Sequence, residues 1–103
     1  MKVIDSGPAL RVDRYASALV HDEPNARIVA FHLAPGQSVP PHTSDSTVLV
    51  QVVEGRGTFS GADGTAELAA GQSAVYAPGE LHGIDAPDVA LRFLAVITPR
   101  PGG

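Results

Sequence analysis

Glycine and proline recur too often along this chain for long helices. The 11 glycines and 9 prolines among 103 residues cut it into short runs. Between the cuts lie β-branched and aromatic residues, which suit a pleated, half-buried surface. An all-β domain with frequent turns follows. Arg27–Leu33 reads as a strand with Val29, Phe31 and Leu33 on one face, stopping at Ala34-Pro35-Gly36. Thr47–Val53 reads as a second, ending at a Glu54-Gly55-Arg56-Gly57 turn. Thr58-Phe59-Ser60 and Thr65–Ala69 flank Gly61-Ala62-Asp63-Gly64, a hairpin signal. Gln72–Tyr76 runs into Pro78-Gly79, His82–Ile84 follows, and Ala90–Thr98 is a long closing strand. The Pro-Arg-Pro-Gly-Gly tail, 99–103, is expected to fray. Leu10–His21 fits a helical stripe and, interrupted at Arg14, a period of two; its neighbours favour a strand.

A chain of this length forms one domain over residues 1–103, able to bury roughly two-thirds of its unfolded surface. The net charge of -4, from 11 acids and 7 bases, comes with no basic cluster. Nucleic acid is therefore not the expected partner, because such binding needs a patch that neutralises phosphates. Cysteine is absent, which excludes disulfides, thiolate ligands and cysteine nucleophiles. The opening Met-Lys-Val-Ile-Asp meets Gly7 and Pro8 before any apolar run develops. No signal peptide or stretch of about 18 apolar residues is present, so a cytoplasmic protein without a membrane partner is expected.

Two histidines stand at turns: His42 after Pro40-Pro41, and His82 after Pro78-Gly79. With the regular turn spacing they give the chain a resemblance to the cupin family. The first cupin motif is G-x5-H-x-H-x3,4-E-x6-G. Here Gly36 and His42 match, while the second histidine falls on Ser44, the glutamate on Val48 and the last glycine on Gly55. The second motif is G-x5-P-x-G-x2-H-x3-N. Gly71 and His82 match, Ala77-Pro78-Gly79 carries the proline one place late, and the asparagine falls on Ala86. The two motifs lie at 36–55 and 71–86, within a stretch from Gly36 to Ala86 that is about half of the chain.

The resemblance implies a double-stranded β-helix, the cupin jelly-roll barrel of two antiparallel sheets, with a small organic molecule held among His42, Ser44, Val48, Val50 and His82. It also implies a divalent transition metal (Zn, Ni, Fe or Mn), weakly bound because only His42 and His82 remain of its ligands. Catalysis, if present, would be that of a dioxygenase, isomerase or lyase, with His42 or His82 moving a proton. The alternative is a non-catalytic binding or sensing module. The two histidines fit a polar pocket lining as well as they fit metal ligands.

Strand parity sharpens this picture. With Val48 inward, Val50 and Val52 follow, as do Val29, Phe31, Leu33 and Phe93 on their strands. Gln51 takes the opposite parity, and Asp45 reaches the site only if the loop after His42 breaks alternation. His32 is expected on the outer or subunit-facing surface and His21 in a solvated loop. Ser44 lacks any activated-serine context. Ala30 and Val53 give the outer face apolar character, so a homodimer is expected through that face or by exchange of an N-terminal strand.

Overall fold

A computed structural model of the chain describes residues 1–5 and 7–101. Nine strands run in chain order: β1 (Ala16–Glu23), β2 (Ala26–Leu33), β3 (Ser38–His42), β4 (Thr47–Glu54), β5 (Arg56–Gly61), β6 (Gly64–Ala69), β7 (Ser73–Tyr76), β8 (His82–Asp85) and β9 (Leu91–Thr98). They form a five-stranded sheet, β1-β2-β9-β4-β7, facing a four-stranded sheet, β3-β8-β5-β6. Every pairing is antiparallel. Among the described residues there is no helix, and so none long and apolar enough to cross a membrane.

Strand alternation places the core between the sheets. Val48, Val50 and Val52 are buried, while Gln51 and Val53 face out, which fixes the register of β4 as parity requires. Phe93, Leu33 and Leu91 are fully buried with Val50 and Val52, and each such side chain contributes roughly 1.5–3 kcal/mol relative to exposure. Val29 and Phe31, expected to be buried with them, are only half-buried. For Phe31 the reason is that its ring lines the open mouth of the barrel.

Three local expectations are corrected. The first strand begins at Ala16, not Leu10, and extends to Glu23. Before it the chain bends, held by a two-pronged Arg11–Asp13 ion pair and by Gln37 Nε2 donating to the Arg11 carbonyl; Val12 is left wholly in solvent. His21 consequently lies in β1, not in a loop. The turn between β4 and β5 contracts to Gly55 alone, at φ 79°. A Cβ there would sit 1.9 Å from the Ala90 carbonyl oxygen, so both conformation and space demand glycine. A further strand, β3, carries no strand signal of its own and runs through Pro40 and Pro41. Proline cannot donate to a ladder, but β3 is a sheet edge paired only with β8, where a missing donor is tolerated.

The outer face of β2 is not free. The N-terminal segment crosses it, bringing Gly7 against Ala30, and the Pro8 carbonyl accepts from His32 Nδ1 at 2.9 Å and from Arg92 at 3.3 Å. His32 points outward as its parity requires, yet the strap leaves it 8% exposed. Ala30 is wholly buried by the same strap and is unavailable as a subunit surface. At the other end, Arg100 N–H donates to the Pro24 carbonyl and Ser46 Oγ–H to that of Pro99. Gly102 and Gly103 of the expected frayed tail lie outside the described residues.

Candidate functional site

Two edge-proximal strands bring the histidines together. β3 and β8 pair so that His42 and His82 are direct partners, and cross-strand partners present their side chains on one face. Val39 also points inward from β3, although it lies three residues from His42 and strict alternation would put the two on opposite faces. The register breaks between Val39 and His42, at the two prolines, and this irregularity re-aims the imidazole inward. The ring centroids of His42 and His82 lie 4.3 Å apart at an interplanar angle of 62°.

Each imidazole is oriented by a backbone carbonyl two residues before it. His42 Nδ1 lies 3.0 Å from the Pro40 oxygen and His82 Nδ1 2.9 Å from the Glu80 oxygen. A carbonyl only accepts, so both Nδ1 atoms carry the proton and both Nε2 atoms keep their lone pairs in the neutral rings. Neither Nε2 has a hydrogen-bond partner among the described residues. His82 is buried, and its far face lies against Tyr76, the rings 4.4 Å apart and nearly parallel at 18°. Burial pushes the His82 pKa below its ordinary 6.5, with nearby His42 acting the same way and the Glu80 contacts opposing. His82 is thus a neutral acceptor near pH 7.

The pair lines a cavity of about 60 Å³, with His42 at its exposed side. The five-stranded sheet supplies its greasy walls, Phe31, Val48, Val50, Phe93, Ala95 and Ile97, and Val39 and Ile84 complete it. A wider vestibule of about 310 Å³ adjoins it, lined by Tyr15, Phe31, Val39, Pro40, Pro41 and His42. Phe31, Val39 and His42 belong to both. Phe31 stacks on Phe93 at 4.7 Å and touches Tyr15 at 5.8 Å, making an aromatic lane from mouth to floor. The inner cavity takes a few heavy atoms; the body of a ligand would lie in the vestibule.

Of the five residues expected at the site, the structure brings His42, Val48, Val50 and His82 around one cavity. Ser44 is the exception. Its hydroxyl accepts from Ser46 N–H at 3.2 Å and its carbonyl from Gly79 N–H at 2.7 Å, so it holds two loops together and does not line the cavity. Asp45 and Gln51 are exposed. Among the described residues no three His, Cys, Asp or Glu side chains gather as a metal cluster. Two imidazoles on an apolar wall supply only part of the donor set a cupin metal centre needs, so the residues present do not fit a complete centre.

Tyr76, Tyr15 and Phe31 join the site without having been singled out by sequence as site residues. Tyr76 carries a usable signal: it shares the end of its strand with the turn leading to His82. Tyr15 carries none, because the periodicity of its segment is ambiguous.

The fold and the inward histidine pair define a cupin. Among solved structures the chain is similar to an RmlC-like cupin from Desulfovibrio desulfuricans, at 28% identity over 96% of this chain and 97% of that one, with a TM-score of 0.84. A protein of Thermus thermophilus matches at 24% identity over 98% and 100% of the two chains, with a TM-score of 0.89. A double-stranded β-helix protein of Klebsiella pneumoniae matches at 20% over 100% and 94%, also at 0.89. None of the curated proteins matches the chain. The family described as AraC-like ligand binding domain matches residues 27–102, and the chain belongs to that family, within the cupin superfamily.

Proposed function

We propose that this barrel is a small-molecule binding or sensing module whose ligand enters along the aromatic lane and donates a hydrogen bond to the histidine pair. The observation that carries this reading is the orientation of the two imidazoles, each held at Nδ1 by a carbonyl so that Nε2 keeps its lone pair, with both rings lining one apolar cavity. Membership of a ligand-binding family supports it. The ligand chemistry that fits is a planar or apolar body bearing an O–H or N–H group. Desolvation of the small cavity strengthens that hydrogen bond, and a mismatched ligand leaves the acceptors unpaired.

Phenol serves as a probe. Titrated into protein with ¹⁵N-labelled imidazoles, it should move the Nε2 resonance of His82, and His82→Phe should abolish binding while keeping the stack on Tyr76. Phenol binding that leaves both imidazoles unmoved would sink the reading.

A second reading is a weakly bound divalent transition ion (Zn, Ni, Fe or Mn) that His42 and His82 would hold and that would supply dioxygenase, isomerase or lyase chemistry. It is favoured by the carbonyl-held Nδ1 atoms, the arrangement metal-bound imidazoles commonly use. Metal analysis of protein purified without chelator or affinity tag separates the two: a stoichiometric transition metal selects the second. A homodimer remains part of the proposal, now through the β1 edge. That strand lacks a neighbour on one side and exposes Leu19, and unpaired edges invite pairing. Light scattering that reports a monomer at roughly tens of micromolar, where a physiological dimer should persist, rejects it.

A further inference from the structure

On the far side of Tyr76 from the histidines lies a second, larger cavity of about 240 Å³, where the β5–β6 hairpin meets β7. It differs in chemistry from the histidine cavity. Asp63, in the two-residue hairpin turn, and Glu80, after the Pro-Gly turn, both line it. Neither has an ion-pair partner among the described residues. Glu80 is anchored as an anion: Oε2 accepts from Ala62 N–H and Oε1 from Ala77 N–H, each at 2.9 Å, and these bonds hold its carboxyl below the usual range.

Tyr76 is the independent pointer. It is 96% buried, being 4% exposed, and its hydroxyl has no hydrogen-bond partner among the described residues. No fully enclosed polar side-chain atom among the described residues lacks a partner, so the phenol oxygen is not sealed off, and the opening that Tyr76 lines is this cavity. Burial and the two carboxylates push its pKa up, keeping it a neutral phenol. Gly61 is where the groups converge. A Cβ on it would lie 2.8 Å from Glu80 Oε2, 3.3 Å from Tyr76 Cε1 and 3.5 Å from Asp63 Oδ1. The missing side chain leaves that space open.

We propose that this cavity binds the ammonium group of a small primary amine. An ammonium has three N–H donors, and the cavity offers it carboxylate oxygens of Asp63 and Glu80 close to one point beside the Tyr76 ring, with the phenol hydroxyl as a further acceptor. The two carboxylates, neither of them ion-paired among the described residues, favour a cation, while Phe59, Ala66, Ala74 and Val75 supply apolar surface for a short alkyl stem. Because Tyr76 stacks on His82 and Phe59 packs edge-on against Phe93, the occupied site touches the histidine cavity through two ring contacts. This site stands independently of the ligand proposed for that cavity.

Calorimetric titration with n-butylammonium chloride tests it, with tetramethylammonium as a cation lacking N–H donors. Butylammonium should bind at least about tenfold more tightly, since loss of charge-assisted hydrogen bonds is at stake. Tyr76→Phe, which keeps the ring on His82, and Asp63→Asn, in an exposed turn, should each weaken butylammonium about tenfold or more. In ¹⁵N spectra the His82 ring signals should move with butylammonium, and phenol binding at the histidines should survive Tyr76→Phe. Equal affinity for the two cations, or affinity within twofold of the parent in both variants, overturns the proposal.

Discussion

The two cavities on either side of Tyr76 are built to opposite rules. The histidine cavity is small and apolar, and its two imidazoles are held at Nδ1 by backbone carbonyls. The acidic cavity is larger, and its Glu80 carboxylate is held by backbone N–H groups. The same backbone therefore does contrasting work a few ångströms apart: a carbonyl selects a neutral imidazole tautomer, while amides stabilise an anion. Selectivity in this barrel rests on which main-chain group lies behind each side chain.

The largest way to break the contrast is to put a charge on the apolar side. Val48→Glu places a carboxyl beside the two imidazoles and should destabilise the metal-free protein by roughly 5 kcal/mol, the scale for burying an unpaired polar group. Chemical denaturation measures the loss. Nickel should restore most of it and bind far more tightly than to the parent. Adding Ser44→His should contribute little further, because Ser44 lies off the cavity wall; a large gain from it would show that the loop rearranges.

Next in size, Phe93→Ala removes the floor of the aromatic lane. It should cost about 4 kcal/mol, measured by urea unfolding, and weaken phenol far more than butylammonium, which meets Phe93 only through the edge contact of Phe59. Coupled losses at both sites would mean that the cavities are not separate.

The smaller effects sharpen the comparison through pH. The His82 pKa is depressed in the folded chain, so the unfolded chain binds the proton more readily. Its contribution to stability is therefore whole above pH 6.5, the ordinary value, and is lost as pH falls towards the folded value. His82→Phe should flatten that part of a stability profile taken from pH 7 downwards. Smallest of all, Tyr76→Phe should shift unfolding by less than about 1 kcal/mol, since its hydroxyl has no protein partner to lose.

The part of this arrangement legible in the sequence is the part written in local periodicity. Val48, Val50 and Val52 alternate with Gln51 and Val53, and that alone sets the wall of the histidine cavity. His82 is placed by its Pro-Gly turn. β3 escapes such a reading because prolines argue against a strand, and only the sheet order reveals that this strand is an edge. His32 and Ala30 belong by parity to an open outer face, yet their cover, Gly7 and Pro8, lies more than twenty positions earlier in the chain. Asp63 and Glu80 carry no signal, as two unrelated turns bring them together.

Glu80 has a consequence for anyone who would re-engineer the barrel. Its two oxygens join Ala62, in the hairpin of one sheet, to Ala77, at the end of a strand of the other. The group that attracts a cation is also a rivet across the seam. A library that randomises it will confound lost affinity with lost architecture, whereas Asp63, borne on a solvent-facing turn, is the position at which a new specificity can be selected without loosening the frame.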